Sequence, residues 1–154
     1  MKKISPEKLK ALGQAVIQTE QVELSALIKR IDNKFVDACN IILQCNGRTV
    51  VTGMGKSGHI ANKIAATLAS TGTPSFFVHP GEASHGDLGM ITTDDVVIAL
   101  SNSGETDEIV ALLPVIKRLN TPLITLTGNP DSTLAKTSTV NIDVSIKKEA
   151  CPLG

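Results

Sequence analysis

The sequence contains no tryptophan and no tyrosine, and phenylalanine occurs only three times. Single-stranded nucleic acids stack their bases on aromatic side chains, so this composition argues against such a binding platform. Fifteen basic residues balance fifteen acidic ones, which leaves no net charge to attract nucleic acid or an anionic membrane surface. We therefore expect neither a nucleic-acid partner nor a membrane partner.

Cysteine is also scarce, with Cys39, Cys45 and Cys151 as the only three. An odd number without CxxC spacing argues against a disulfide framework or a structural zinc site, and favours reduced thiols in the cytoplasm, two of them packed in the core. The N-terminus has two lysines but no apolar run after them, so it does not resemble a signal peptide. No apolar stretch reaches membrane-spanning length, and we expect a soluble cytoplasmic protein.

The 154 residues are 42% hydrophobic, which suits one globular domain with a real core. Apolar residues at helical spacing predict a first helix over 5–31, with Pro6 and Glu7 as start signals. A second amphipathic helix is predicted over 33–45, and the Asn46-Gly47 pair ends it.

From residue 48 onward, short apolar runs alternate with helical segments. The predicted strands are 49–52, 75–78, 95–100, 123–127 and 140–146, and the predicted helices are 57–70, 104–119 (bent at Pro114) and 132–136. Continuous apolar runs mark strands buried on both faces, and their alternation with helices predicts an α/β fold, a three-layer α/β/α sandwich around a five-stranded parallel sheet. No helix follows the last strand to cover its far side, so we expect either that the chain is truncated or that a partner chain covers this strand.

The segment GMGKSGH, residues 53–59, follows the first strand and matches the G-x-G-x-x-G pattern of dinucleotide-binding turns. That interpretation needs an acid at the end of the second strand, but the chain there reads Val78-His79-Pro80, with Glu82 beyond the proline. A P-loop fails on spacing, because its first glycine would fall at Val50. What remains is a glycine turn whose amides, with Lys56 and Ser57, face an anion.

A second polar loop, SNSGET at residues 101–106, follows the third strand. Its three hydroxyls and one glycine at a helix start suit a phosphate, although Ser101 or Ser103 as an ordinary helix cap explains them equally well. Two such loops at neighbouring strand ends favour one shared phosphate ligand.

Two further polar segments are candidates for chemistry. The loop 79–87 carries His79 and His85, which suit hydroxyl recognition or proton transfer, with a solvated connection as the alternative. The tail 147–151 places Glu149 beyond the end of the last strand, and a plain surface charge run remains its alternative.

The segment 53–92, the SNSGET loop and KEACPLG at 148–154 together resemble the sugar isomerase (SIS) domain of the D-arabinose 5-phosphate isomerases. The resemblance implies one SIS domain over 1–154, with N-terminal helices in 5–46, a core at 48–146, a catalytic tail at 147–154 and flavodoxin-like strand order. The family's C-terminal closing helices and pair of CBS domains have no counterpart in this chain, which puts its activity alone in question.

The resemblance also implies an aldose–ketose isomerase that interconverts D-ribulose 5-phosphate and D-arabinose 5-phosphate through an enediol, at the first step of 3-deoxy-D-manno-octulosonate biosynthesis. No cofactor is expected, and the expected assembly is a homotetramer with active sites near subunit interfaces. A non-catalytic sugar-phosphate sensor, or an isomerase of a heptose or hexulose phosphate, remains an alternative.

Site roles carried over from the resemblance fall into three groups. Those for phosphate binding are Ser57, Ser101, Ser103 and Thr106; those for catalysis are Lys56, Glu105, Glu149 and His85; those lining the sugar are Gly72, Thr73, His79 and His85. Within them we expect Glu149 as the base, Lys56 as electrostatic stabiliser, and Glu105 as a residue that orients Lys56 or a neighbouring backbone amide. His79 is also implied as the ligand of an inhibitory zinc.

Overall fold

The computed structural model describes residues 4–83 and 87–151 of the chain. The helices are α1 (Pro6–Ile28), α2 (Asn33–Leu43), α3 (Gly55–Ser70), α4 (Pro80–Ala83), α5 (Asp107–Val110), α6 (Leu113–Leu119) and α7 (Thr133–Thr137), with a 3₁₀ turn at Asp87–Met90. The strands are β1 (Thr49–Gly53), β2 (Ser75–Val78), β3 (Val96–Leu100), β4 (Leu123–Thr127) and β5 (Val140–Asp143). The described residues form two compact units, one made of 4–32 with 146–151, the other of Asn33–Ser145.

The five strands form one sheet in the order β2-β1-β3-β4-β5, and every pair is parallel. Thr49 of β1 pairs with Ser75 on one side and with Val96 on the other. Every residue of β1 and β3 is buried, as the continuous apolar runs predicted. The predicted parallel sheet and its flavodoxin-like order are confirmed.

Alternate residues of the central strands enter two separate cores. Val51 and Ile98 pack with α2 and α3 on one face of the sheet. Val50 and Val97 pack on the other face with residues of α5, α6 and α7. Helices therefore cover both faces, and the predicted three-layer sandwich is confirmed.

The ends of most predicted elements shift by about one to three residues, and two of these differences have a clear physical cause. The helix expected over 104–119 begins at Asp107 and is interrupted after Val110. Proline at 114 has no N–H for the carbonyl of Val110, so the chain stops one helix there and starts α6 with Pro114 in its first turn. The strand expected over 140–146 ends at Asp143, whose carboxylate accepts the Ser145 amide at 2.8 Å and turns the chain.

The cysteines are free thiols. Cys39 and Cys45 are partly buried, and Cys151 is exposed. Cys45 packs against the core on the α2 and α3 face of the sheet. A separate finding concerns the helices: across residues 4–83 and 87–151, none is both long and apolar enough to cross a membrane.

A buried carboxylate anchors the amino edge of the sheet. Asp95 is 1% exposed, and its oxygens accept the backbone amides of Arg48 at 2.7 Å and Thr92 at 2.8 Å. The guanidinium of Arg48 lies 3.3 Å from the same carboxylate. Burial acts to raise the pKa of Asp95, but the hydrogen bonds from Thr92 and Arg48 outweigh it and lower the pKa.

We expect Asp95→Asn to lower the free energy of unfolding by about 1–3 kcal/mol for each backbone donor that loses its acceptor. Because the folded-state pKa is lowered, the carboxylate stabilises the fold above the unfolded-state value and loses this effect as pH falls through the folded-state value. Denaturant titrations should therefore show that the difference in unfolding free energy between wild type and Asp95→Asn becomes smaller below about pH 4. Asp94→Asn, at an exposed position, is the control. If the difference in unfolding free energy between wild type and Asp95→Asn stays constant at low pH, the carboxylate does not stabilise the fold in this way.

Candidate functional site

The two predicted anion-binding loops lie at the same edge of the sheet. Strands β1 and β3 are neighbours, and the chain leaves their carboxyl ends into α3 on one face and α5 on the other. The strand order reverses between β1 and β3, and ligands of open α/β sheets bind in the crevice at such a point. The structure thus brings Ser57 and the 101–106 loop to one edge.

The first loop is formed by a helix that begins directly at the end of β1. A Cβ atom at Gly58 would lie 2.6 Å from the carbonyl oxygen of Gly53, so only glycine lets the first turn of α3 approach the strand so closely. The N-cap residue, Met54, has no side-chain oxygen to accept the first-turn amides, which suits them to an external anion. Ser57 is half-buried in this turn, and Lys56 is exposed.

The second loop is held by its own hydroxyl groups. The buried Ser101 hydroxyl accepts the Gly104 amide at 3.0 Å and lies 2.8 Å from the hydroxyl of Thr106. The Ser103 hydroxyl is 3.5 Å from that of Ser101 and accepts the amide of Glu105 at 3.2 Å. Three hydroxyl groups therefore converge in a loop whose shape is set before any ligand arrives.

Gly104 completes this loop because its backbone lies in the left-handed region, with φ +67°. A Cβ atom there would overlap the side chain of Ser132, the N-cap residue of α7. The carbonyl of Gly104 also accepts the amide of Leu134 at 3.2 Å. The loop is therefore packed against the start of α7 and cannot accept a larger residue at its turn.

The alternative interpretation of Ser101 and Ser103 as helix caps is wrong. Helix α5 starts at Asp107, and its N-cap residue is Thr106, which makes no side-chain capping hydrogen bond. Both serine hydroxyls bond to amides that precede the helix. Their hydrogen bonds shape the loop, and the helix gains no cap from them.

The side chain of Glu105 binds a backbone amide of the neighbouring helix α7. Its carboxylate accepts the amide of Thr133 at 2.7 Å, in the first turn of α7. This hydrogen bond from Thr133 lowers the pKa of Glu105, and the nearby charge of Lys136 acts in the same direction. The predicted role of Glu105 in orienting Lys56 or a neighbouring backbone amide stays a prediction, and the contact that the structure shows is the one with the Thr133 amide.

His79 follows β2 at the same carboxyl edge. Its ring packs edge-on against Phe77, with ring centroids 6.4 Å apart. Its Nδ1 atom is buried and has no hydrogen-bond partner within 4–83 and 87–151. In that part of the chain no group of three or more His, Cys, Asp or Glu side chains is placed to hold a metal, so the zinc at His79 stays a prediction without a fitting site. His85 lies outside the described residues.

Gly72 and Thr73 lie at the other edge of the sheet. They connect α3 to β2, and the Thr73 amide binds the Leu68 carbonyl at 2.9 Å. Ser57 lies in the first turn of α3, and the rest of that helix, about 20 Å in length, separates it from this turn. Within one copy of the chain, the structure does not bring these two residues to the phosphate loops, and their place in the sugar site stays a prediction.

Glu149 lies in the irregular segment after β5, in the same compact unit as α1, and its side chain is exposed. The backbone just before it is held by Glu23 of α1, whose two carboxylate oxygens accept the amides of Lys147 at 3.0 Å and Lys148 at 3.2 Å. Sequence reasoning missed Glu23, because it is one of several acidic residues on a helix and its partners are more than 120 residues away.

Residues 42–153 match the SIS domain family. This match covers well over half of the chain, and the chain belongs to the SIS domain family.

Particular relatives are close. The chain is 64% identical over 141 residues to arabinose 5-phosphate isomerase KdsD of Pseudomonas aeruginosa, and 58% identical over 142 residues to KdsD of Escherichia coli K12. Each alignment covers 92% of this chain and 43% of the relative, so the chain spans less than half of their length. The structure of c3406 from E. coli CFT073 in complex with arabinose 5-phosphate superposes with a TM-score of 0.88 and 45% identity, over 98% of this chain and 80% of that one.

Proposed function

We propose that the protein is an aldose–ketose isomerase that interconverts D-ribulose 5-phosphate and D-arabinose 5-phosphate. The observation that carries the proposal is the pair of preorganised loops at the β1 and β3 ends, within a SIS domain. The high identity to KdsD proteins supports the choice of substrate. If this substrate assignment is correct, the reaction is the first step of 3-deoxy-D-manno-octulosonate biosynthesis for lipopolysaccharide or capsule.

The phosphate would be held where the hydroxyls converge. Ser101, Ser103 and Thr106 already hydrogen bond to one another or to loop amides, and rotation of a hydroxyl lets it donate to a phosphate oxygen instead. Ser57 and the first-turn amides of α3 add donors from the neighbouring strand end. This anchoring supplies binding energy that holds the sugar's reactive carbons in place.

The chemical step moves a carbon-bound proton between C1 and C2 of the sugar. The adjacent carbonyl already acidifies this proton, so no cofactor is needed. We assign Glu149 as the base, the exposed Lys56 as the cation that stabilises the enediolate oxygen, and His85 as the donor or shuttle between the oxygens. Glu105 is assigned a positioning role, because its carboxylate binds the Thr133 amide and so joins the phosphate loop to α7.

We further propose a cytoplasmic homotetramer with active sites near subunit interfaces. None of the 23 residues of α1 is buried, although the helix carries many large apolar side chains. Those more than half exposed on it are Leu9, Leu12, Ile17, Val22, Leu24 and Ile28. A second copy packed on this helix would remove them from water, and Gly72 and Thr73 would then be available to another copy's sugar site.

A coupled assay of the whole gene product tests the function. We expect turnover with arabinose 5-phosphate and none with ribose 5-phosphate or glucose 6-phosphate. Turnover of a different phosphosugar would contradict the substrate assignment. Calorimetric binding of arabinose 5-phosphate without any turnover would instead identify a sugar-phosphate sensor and contradict the enzymatic proposal.

A further inference from the structure

A carboxylate of α1, that of Glu23, binds the backbone of the tail that leads to Glu149. Glu23 is half-buried, and each of its carboxylate oxygens accepts one of two successive backbone amides, those of Lys147 and Lys148. Two consecutive amides directed at one anion form a compact binding concavity, and hydrogen bonds to an ionised acceptor are about twice as strong as neutral ones.

The tail has little else to hold its backbone. Residues 144–151 belong to no helix or strand, and no backbone-to-backbone hydrogen bond joins residues 146–151 to any other described residue. Lys148 lines a surface groove together with Val22 and Glu23 of α1, so this part of the tail lies beside the helix. Glu23 is therefore the residue that holds, through hydrogen bonds, a segment without regular backbone hydrogen bonds.

The residue that follows this anchor is Glu149. We propose that Glu23 is a positioning residue: it holds the 147–148 backbone, and so places the carboxylate of Glu149 for proton abstraction. The inference rests on the proposed function, in which Glu149 is the base. A reacting group displaced by about 1 Å loses on the order of 10²-fold in rate, so a backbone anchor one residue away is a sensitive point.

The test compares Glu23→Ala, which removes both acceptors, with Glu23→Gln, which keeps one oxygen. Glu20→Ala is the matched control, because Glu20 lies on the same helix and is exposed. With the whole gene product we expect kcat to fall on the order of 10²-fold in Glu23→Ala, less in Glu23→Gln, and not in Glu20→Ala, while KM changes little. Hydrogen exchange of the Lys147 and Lys148 amides should be faster in Glu23→Ala.

A double-mutant cycle separates positioning from general damage. If Glu23 acts through Glu149, then adding Glu23→Ala to Glu149→Gln should lower kcat no further. Effects that multiply in the double variant, or a Glu23→Ala variant with wild-type kcat, overturn the positioning role alone. A wild type without isomerase activity overturns the proposed function itself. Should Glu23→Ala fail to fold, Glu23→Gln decides in its place, and a wild-type kcat in that variant overturns the role.

Discussion

Glu149→Gln is expected to lower kcat roughly 10²- to 10⁴-fold, the usual effect of removing a general base, and to leave KM nearly unchanged. The reason is that a base acts on the way to the transition state, whereas the phosphate loops bind substrate and transition state alike. Glu149 is exposed, and within the described part of the chain no hydrogen bond or ion pair of its side chain contributes to the fold. The amide keeps the size of the side chain, so the variant should fold as the wild type does.

The most direct measurement follows the carbon-bound proton itself. In deuterated solvent, wild-type protein should exchange the C1 or C2 proton of the sugar phosphate, as seen by NMR, and Glu149→Gln should exchange it far more slowly. Glu7→Gln, an exposed substitution in the first turn of α1, controls for loss of one negative charge. Exchange at the wild-type rate in Glu149→Gln would place the base elsewhere, with His85 as the next candidate.

The sheet could be predicted from the sequence because its signal is local. Runs such as Val50–Val51 and Val96–Leu100 are apolar without alternation, which is typical of strands buried on both faces. Gly53 and Gly58 could also be interpreted, since close approach of a helix to a strand end requires them. Both phosphate loops were found because each directly follows such a strand.

The features of the site that the sequence could not predict are contacts between residues far apart in the chain. Glu105 binds Thr133 across 28 positions, and Glu23 binds Lys147 across 124. Neither pair has a spacing pattern, because a carboxylate that accepts a backbone amide places no demand on the type of residue that donates. The interruption between α5 and α6 was underestimated for another reason: Pro114 was expected to bend a helix, whereas it starts a new one.

The hydroxyl groups of Ser101 and Ser103 are expected to contribute to phosphate binding. Ser101→Ala together with Ser103→Ala should weaken binding of arabinose 5-phosphate, by about 1.5–3 kcal/mol for each lost charge-assisted hydrogen bond. The buried Ser101 hydroxyl also accepts the Gly104 amide and lies 2.8 Å from the Thr106 hydroxyl, so Ser101→Ala should have the larger single effect. The exposed Ser103 accepts the Glu105 amide at 3.2 Å, so its loss should disturb the loop less.

Calorimetry of the two single variants and the double variant measures these contributions to binding. Thermal unfolding shows whether the loop change has spread to the fold. Ser70→Ala is the control, because this hydroxyl lies at the far end of α3 and donates to the Thr67 carbonyl of the same helix. Since Gly104 and the Glu105–Thr133 contact still hold the loop, the double variant should keep most of its stability while losing affinity. Unchanged affinity in the double variant would mean that the hydroxyls serve the loop's internal structure and that the phosphate binds elsewhere.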